Sequence, residues 1–237
     1  MISSEVRTLA VTLLTFLLNV GRGSESLAQT QISSSNVKRV FASMGDPGWD
    51  EFDVPEFLAA AFGRRVGAAL DSILSEPATP ENYYYQLGAL TAAGFARTGV
   101  PVDRILAFAT GQKGSNIGGV LRHRAVMALQ SRADPGLVQF WLNVSQERGV
   151  SFRELAAGGL ACALGPGALV HLEAMQQDPS PEVRNVASFY MREFTTKGDG
   201  ALSCAGGRST RAEAPQFPRE LRTSLRQKGA RILEELH

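Results

Sequence analysis

At 237 residues and 44% hydrophobic, the chain is long enough for one ordinary domain or a short repeat array with its own core. Its formal charge is +1, from 24 basic against 23 acidic residues, which excludes the strong one-sign field of a general nucleic-acid or anionic-membrane binder. Lysine occurs only at Lys38, Lys113, Lys197 and Lys228, leaving 20 arginines, a skew that reads as compositional bias in a chain so rich in Ala and Gly.

The first element is an export signal, residues 1–28. Arg7 precedes the apolar run Thr8 to Val20, and Ser26-Leu27-Ala28 offers the small residues a signal peptidase needs, with cleavage before Gln29. Glu5 weakens the positive start. An uncleaved anchor is disfavoured, because the run falls short of the roughly 20 apolar residues that span a bilayer. The mature protein is therefore expected outside the cytoplasm, periplasmic or extracellular, and no later segment reads as a span.

Residues 29–53 are polar, with Ser33-Ser34-Ser35 and Gly45-Asp46-Pro47-Gly48, and read as a linker carrying a short helix around Val37 to Met44. From Pro55 the apolar spacing is helical: Phe57, Leu58, Ala61, Phe62, Val66, Ala69, Leu70, Ile73 and Leu74 predict one helix that ends before Pro77. A second helix is expected over roughly Glu81 to Thr98, opened by Tyr83-Tyr84-Tyr85 and stopped by Gly99 and Pro101. A short helix Val102 to Thr110 and a longer one from Ser115 or Asn116 to Arg132 follow. Asp134-Pro135 is a cap and first-turn proline, Ser151 with Glu154 fits a capping box opening a helix to Leu164, and Gly165-Pro166-Gly167 is the next break. Leu169, Leu172 and Met175 form a one-sided stripe.

Two series recur through this region. Ile105-Leu106-Ala107-Phe108 is echoed by Leu137-Val138-Gln139-Phe140 and Leu169-Val170-His171-Leu172, a spacing of 32; Ala93, Ala125, Ala157 and Ala187 form the second series. Two interleaved series of one period mean a repeated two-helix unit, which buries its apolar face only by stacking on its neighbours. The last unit carries a more specific pattern. Asp178-Pro179-Ser180-Pro181-Glu182-Val183-Arg184-Asn185-Val186-Ala187-Ser188-Phe189-Tyr190 resembles the second half of a HEAT repeat: a turn with Asp and Pro, then a helix reading Val-Arg-x-x-Ala. Arg122 takes the place of Arg184 in its unit, and Leu90 and Glu154 take it in the others. The resemblance implies an all-α, right-handed solenoid of about four HEAT-like helix pairs over residues 54–196. After it come a Gly/Ser/Thr/Ala-rich flexible linker, 197–217, and a C-terminal helix, 218–237, with Leu221, Leu225, Ile232, Leu233 and Leu236 on an apolar pattern. That helix either caps the array or binds a partner, and capping is expected because terminal units must cover apolar surface.

No nucleophile elbow, phosphate loop or dinucleotide fingerprint is present. Gly111-Gln112-Lys113-Gly114-Ser115 lacks phosphate-loop spacing and follows a helix, so it reads as a turn. His123 lies between two arginines, His171 with Glu173 sits at i, i+2 on different sides of a helix, and His237 is the last residue, so neither a metal nor a cofactor is expected. Export would permit a disulfide between Cys162 and Cys204, but Cys162, among Ala161, Ala163 and Leu164, reads as a buried free thiol, and Cys204 lies in the linker. The expected function is a non-enzymatic scaffold that binds another protein or peptide on the concave face built by the second helices, with Tyr85, Arg122, Arg153 and Arg184 as binding residues. Arg184 also has a structural role open to it within the stack. The alternative is a HEAT-like lyase, chaperone or enzyme accessory acting on a bound substrate, for which the sequence supplies no acid–base pair.

Overall fold

A computed structural model describes residues 32–42, 53–111, 116–197 and Leu236, and among these every regular element is helical. The expected signal segment 1–28 and most of the C-terminal linker and helix lie outside the described residues. So does the Gly111–Ser115 turn, apart from Gly111.

The first helix, α1 (Ser34–Ala42), opens with the Ser33 hydroxyl accepting from the Asn36 amide at 3.2 Å. Val37, Val40 and Phe41, spaced to share one helix face, are 0–2% exposed. This part of the expected linker therefore belongs to the core. Polar flanks on both sides hide three apolar positions that bury almost completely against α3 (Arg64–Leu74) and α4 (Tyr83–Ala93).

The single helix expected from Pro55 to Leu74 is two, α2 (Asp53–Phe62) and α3, divided at Gly63. Gly63 has φ 50° and ψ −126°, a conformation that L side chains rarely adopt, so apolar periodicity runs through a point where the backbone turns. After α4 the chain enters a 3₁₀ turn, Ala96–Thr98, and leaves through Gly99 at φ 72°, which shortens the helix expected over Glu81–Thr98.

The remaining helices are α5 (Val102–Gly111), α6 (Asn116–Arg132), α7 (Val138–Val144), α8 (Val150–Leu164), α9 (Leu169–Met175) and α10 (Pro181–Lys197). Asp134 caps as expected, its carboxylate accepting from the Gly136 amide at 2.8 Å, but it heads a 3₁₀ turn, Pro135–Leu137, ahead of α7. A matching 3₁₀ turn, Gly165–Ala168, precedes α9. The Ser151–Glu154 capping box does not form: α8 begins at Val150 with Gly149 as its cap, so Ser151 is already inside the helix. Asp178 accepts from the Ser180 amide at 2.8 Å, and Pro181 starts α10.

The helices pack pairwise, α3 on α4, α5 on α6, α7 on α8 and α9 on α10. The second members also pack in succession, α4 on α6, α6 on α8 and α8 on α10. α8 is built for this: Ala156, Ala157, Gly158, Gly159 and Ala161 are all buried, and small side chains let three neighbours approach. The largest wholly buried side chain among the described residues, Trp141 of α7, lies against Gly159. Val150–Met175, where the sequence leads to no expected span, is long and apolar enough to cross a membrane by composition, with mean hydropathy 1.6. Gly165 breaks it at φ 58°, and its α8 part lies between other helices, as expected of a core segment. Leu236 is helical, half-buried and packed against the core.

Candidate binding face and its arginines

The second helices carry the expected binding residues, and the structure engages most of them internally. Arg153 grips Asp178 with two parallel bonds, Nε to Oδ2 at 2.7 Å and Nη2 to Oδ1 at 2.9 Å. Its Nη1 donates to the carbonyls of Glu147 at 3.0 Å and Arg148 at 2.9 Å. Such a fork matches carboxylate geometry, and only 13% of the Arg153 side chain and 11% of the Asp178 side chain meet solvent. The Arg153 guanidinium beside it holds the Asp178 carboxyl below the ordinary range, with the Ser180 amide and the Arg184 charge adding to this against the effect of burial.

Arg122 repeats the arrangement one unit earlier. Its Nη2 binds the Glu147 carboxylate, its Nε donates to the Ala109 carbonyl at 2.9 Å, and its guanidinium stacks 4.2 Å above the Phe152 ring. Arg184 uses Nη1 on the carbonyls of Asp178 at 2.7 Å and Pro179 at 2.9 Å, the same five- and six-residue reach that Arg153 makes to its own turn.

These contacts correct the repeat register. Arg122, Arg153 and Arg184 lie 31 residues apart, and each heads an apolar-Arg-x-x-Ala segment: Leu121 to Ala125, Phe152 to Ala156, Val183 to Ala187. Ala125, Ala156 and Ala187 are each 0% exposed. Arg153, not Glu154, is the counterpart of Arg184, and Ala156, not Ala157, is the counterpart of Ala187. The 32-residue step concealed this because Ala157 is equally buried.

The arginines are thus turn clasps and ties between successive pairs, and they do not form a free basic row. The middle of the face is covered as well. Gln130 of α6 and Tyr190 of α10 meet at 3.5 Å above Gly158 of α8, where a Cβ would fall 1.9 Å from Gln130 Nε2. Burial pushes the Tyr190 hydroxyl pKa up. Tyr85 is half-buried with Lys38 Nζ 5.5 Å from its ring centroid, and Lys38 itself binds the Glu76 carboxylate at 2.6 Å. Of the three consecutive tyrosines, Tyr83 and Tyr85 pack on the core and Tyr84 is 65% exposed. The apolar side chains that the second helices leave open are Tyr84 on α4, Val120 on α6 and Phe189 on α10, near or above half exposure, with Val150 at the start of α8. Tyr84 was legible only as one of three; Val120 belongs to no motif, and Phe189 stands within the Asp178–Tyr190 pattern without being marked there as an exposed position.

His123 is half-buried, edge-on to Phe152 at 5.6 Å between ring centroids, and burial, then the neighbouring Arg124 charge, lowers its pKa. Among the described residues no three His, Cys, Asp or Glu side chains gather as metal ligands. Cys162 is disulfide-bonded, which corrects the free-thiol expectation: apolar neighbours set its burial at 4% exposure but say nothing of its redox partner. Cys204 lies outside the described residues. No family profile and no curated protein matches this chain.

Proposed function

We propose that residues 54–196 form a right-handed solenoid of about four HEAT-like helix pairs, serving as a non-enzymatic scaffold that binds another protein or peptide. One observation carries the reading. The apolar-Arg-x-x-Ala segment recurs three times at one place in successive helix pairs, and two of its arginines reach an acid 25 residues ahead, Arg122 to Glu147 and Arg153 to Asp178. A bond that leads from each unit to the next is what a one-dimensional stack of repeats needs. Arrays of this kind expose long surfaces to partners, and Tyr84, Val120 and Phe189 supply apolar contacts from three different second helices.

The protein is exported after cleavage near Ala28. The apolar run with Ser26-Leu27-Ala28 supports this, and so does the disulfide at Cys162, because disulfides persist in oxidising compartments. N-terminal sequencing of the mature protein should begin near Gln29; intact Met1 on cytoplasmic protein would contradict export.

The scaffold reading is tested by affinity purification from the native host. Wild type should retain a partner that Tyr84→Ala with Phe189→Ala loses at an unchanged melting temperature. A partner that the double variant keeps would move the site off this face, and wild type that retains none would remove the scaffold reading.

A further inference from the structure

Four of the described cations pair with acids: Lys38 with Glu76, Arg104 with Asp71, Arg122 with Glu147, Arg153 with Asp178. Three exposed arginines at one place do not. Arg64 and Arg65 open α3, and Arg97 lies in the 3₁₀ turn Ala96–Thr98; none has a carboxylate within ion-pair distance among the described residues.

The backbone holds these three together. A Cβ on Gly67 would lie 2.1 Å from the Thr98 carbonyl oxygen, so α3 runs in direct contact with the turn. A Cβ on Gly63 would lie 3.5 Å from the Arg97 carbonyl oxygen, and one on Gly99 would touch Arg64 Cγ at 3.4 Å. The stem of Arg64 therefore lies along the turn that carries Arg97. Arg65 sets its guanidinium 5.8 Å from the centre of the Phe62 ring, which orients the group while its edge stays in water. From the far side, Arg132 of α6 donates to the Val100 carbonyl and fixes the end of the segment.

We propose that Arg64, Arg65 and Arg97 form a docking point for a short acidic segment of the partner protein, a refinement that rests on the scaffold reading. Three arginines carried on adjoining backbone, two opening α3 and one in the turn against it, can meet two or three neighbouring carboxylates, each able to take a fork of parallel bonds. The patch is a point and not a stripe, and net charge is +1, which favours a local acidic cluster over a nucleic-acid backbone. The most exposed tyrosine among the described residues, Tyr84, begins α4 whereas the turn follows its end, so that ring is not beside these arginines.

The test uses the full mature chain and a labelled hexaglutamate peptide at low ionic strength, with a single-stranded oligonucleotide in a parallel arm. Wild type should bind the peptide, more weakly as salt rises. Arg64→Ser with Arg65→Ser and Arg97→Ser should lose about tenfold in affinity, because exposed ion pairs are individually weak. Arg192→Ser, an exposed arginine on α10, should bind like wild type. Arg97→Ser alone, expected at a measurable fraction of that loss, serves if the triple variant does not fold. No binding by wild type, equal binding by the variants, or tighter oligonucleotide binding through the same arginines would each overturn the proposal. None of these bears on whether wild type co-purifies with a partner, so the scaffold reading is judged separately.

Discussion

Gly159 on α8 should not tolerate a methyl group, although alanine is the better helix former. A Cβ at this position would lie 2.2 Å from Trp141 Cδ2 and 2.3 Å from Cε2, far inside van der Waals contact. The indole cannot swing away freely, because Trp141 is 1% exposed and closes the space between α7 and α8. Overpacking of this kind costs about 1–3 kcal/mol. Replacing a helical glycine with alanine returns about 1 kcal/mol. A 2.2 Å contact places the overpacking at the upper end of that range, so the net prediction is a loss of about 2 kcal/mol, or roughly 4–8 °C in melting temperature for a chain of this size. Gly119 on α6 is the control: nothing lies within 4 Å of its would-be Cβ, so Gly119→Ala should melt at or slightly above wild type. Pairing Gly159→Ala with Trp141→Phe should cost less than the sum of the two, since the smaller ring makes room. Differential scanning calorimetry reads all five proteins, wild type included. Gly159→Ala melting as high as wild type would refute the contact and the helix pairing drawn from it.

Three further outcomes follow from the charged groups. Asp178 is held below its ordinary pKa of about 3.9, so its pairing stabilises the fold above that value and is lost as pH falls through the lower, folded pKa. The melting gap between wild type and Asp178→Asn should accordingly shrink below about pH 4, and a gap constant to pH 2 would contradict this. The His123 pKa is also lowered, so protonation below about pH 6.5 opposes folding. Wild type should lose melting temperature between pH 7 and 5 more steeply than His123→Gln, and parallel curves would show that burial does not hold the imidazole neutral. Arg122→Glu puts a carboxylate against Glu147 and leaves the Ala109 carbonyl without its donor, at a cost of about 1–3 kcal/mol. Unchanged melting of Arg122→Glu would return this arginine to the free surface.

Much of the helical layout was legible because its punctuation is local. Pro135, Gly165-Pro166-Gly167 and Asp178 with Pro181 place breaks through their own backbone chemistry, and the structure puts turns or helix starts at each. What was lost depends on tertiary context. Gly63 interrupts a helical apolar pattern that itself continues smoothly, and only the crossing of α3 over Thr98 gives the break a reason. Helix α1 is short and sits among serines, and its place in the core comes from packing on α3 and α4. The repeat register slipped by one because α8 offers two adjacent buried alanines, while the decisive mark, the reach of an arginine to an acid 25 residues on, exists only once the chain is folded. For the same reason the internal bonds of Arg122, Arg153 and Arg184 were not legible, and neither was the exposure of Val120 and Phe189.

The repeat register itself is open to one direct measurement. Inserting a second copy of residues 134–164 after Leu164, with alanine in place of the copied Cys162, adds one helix pair. It also keeps an acid 25 residues ahead of each clasping arginine. A stack of repeats should accept it: circular dichroism should show helix content rising in proportion to length, and melting should stay cooperative at or above the wild-type temperature. An insert that adds no helix, or a chain that aggregates or melts well below wild type, would contradict a one-dimensional array with a 31-residue unit.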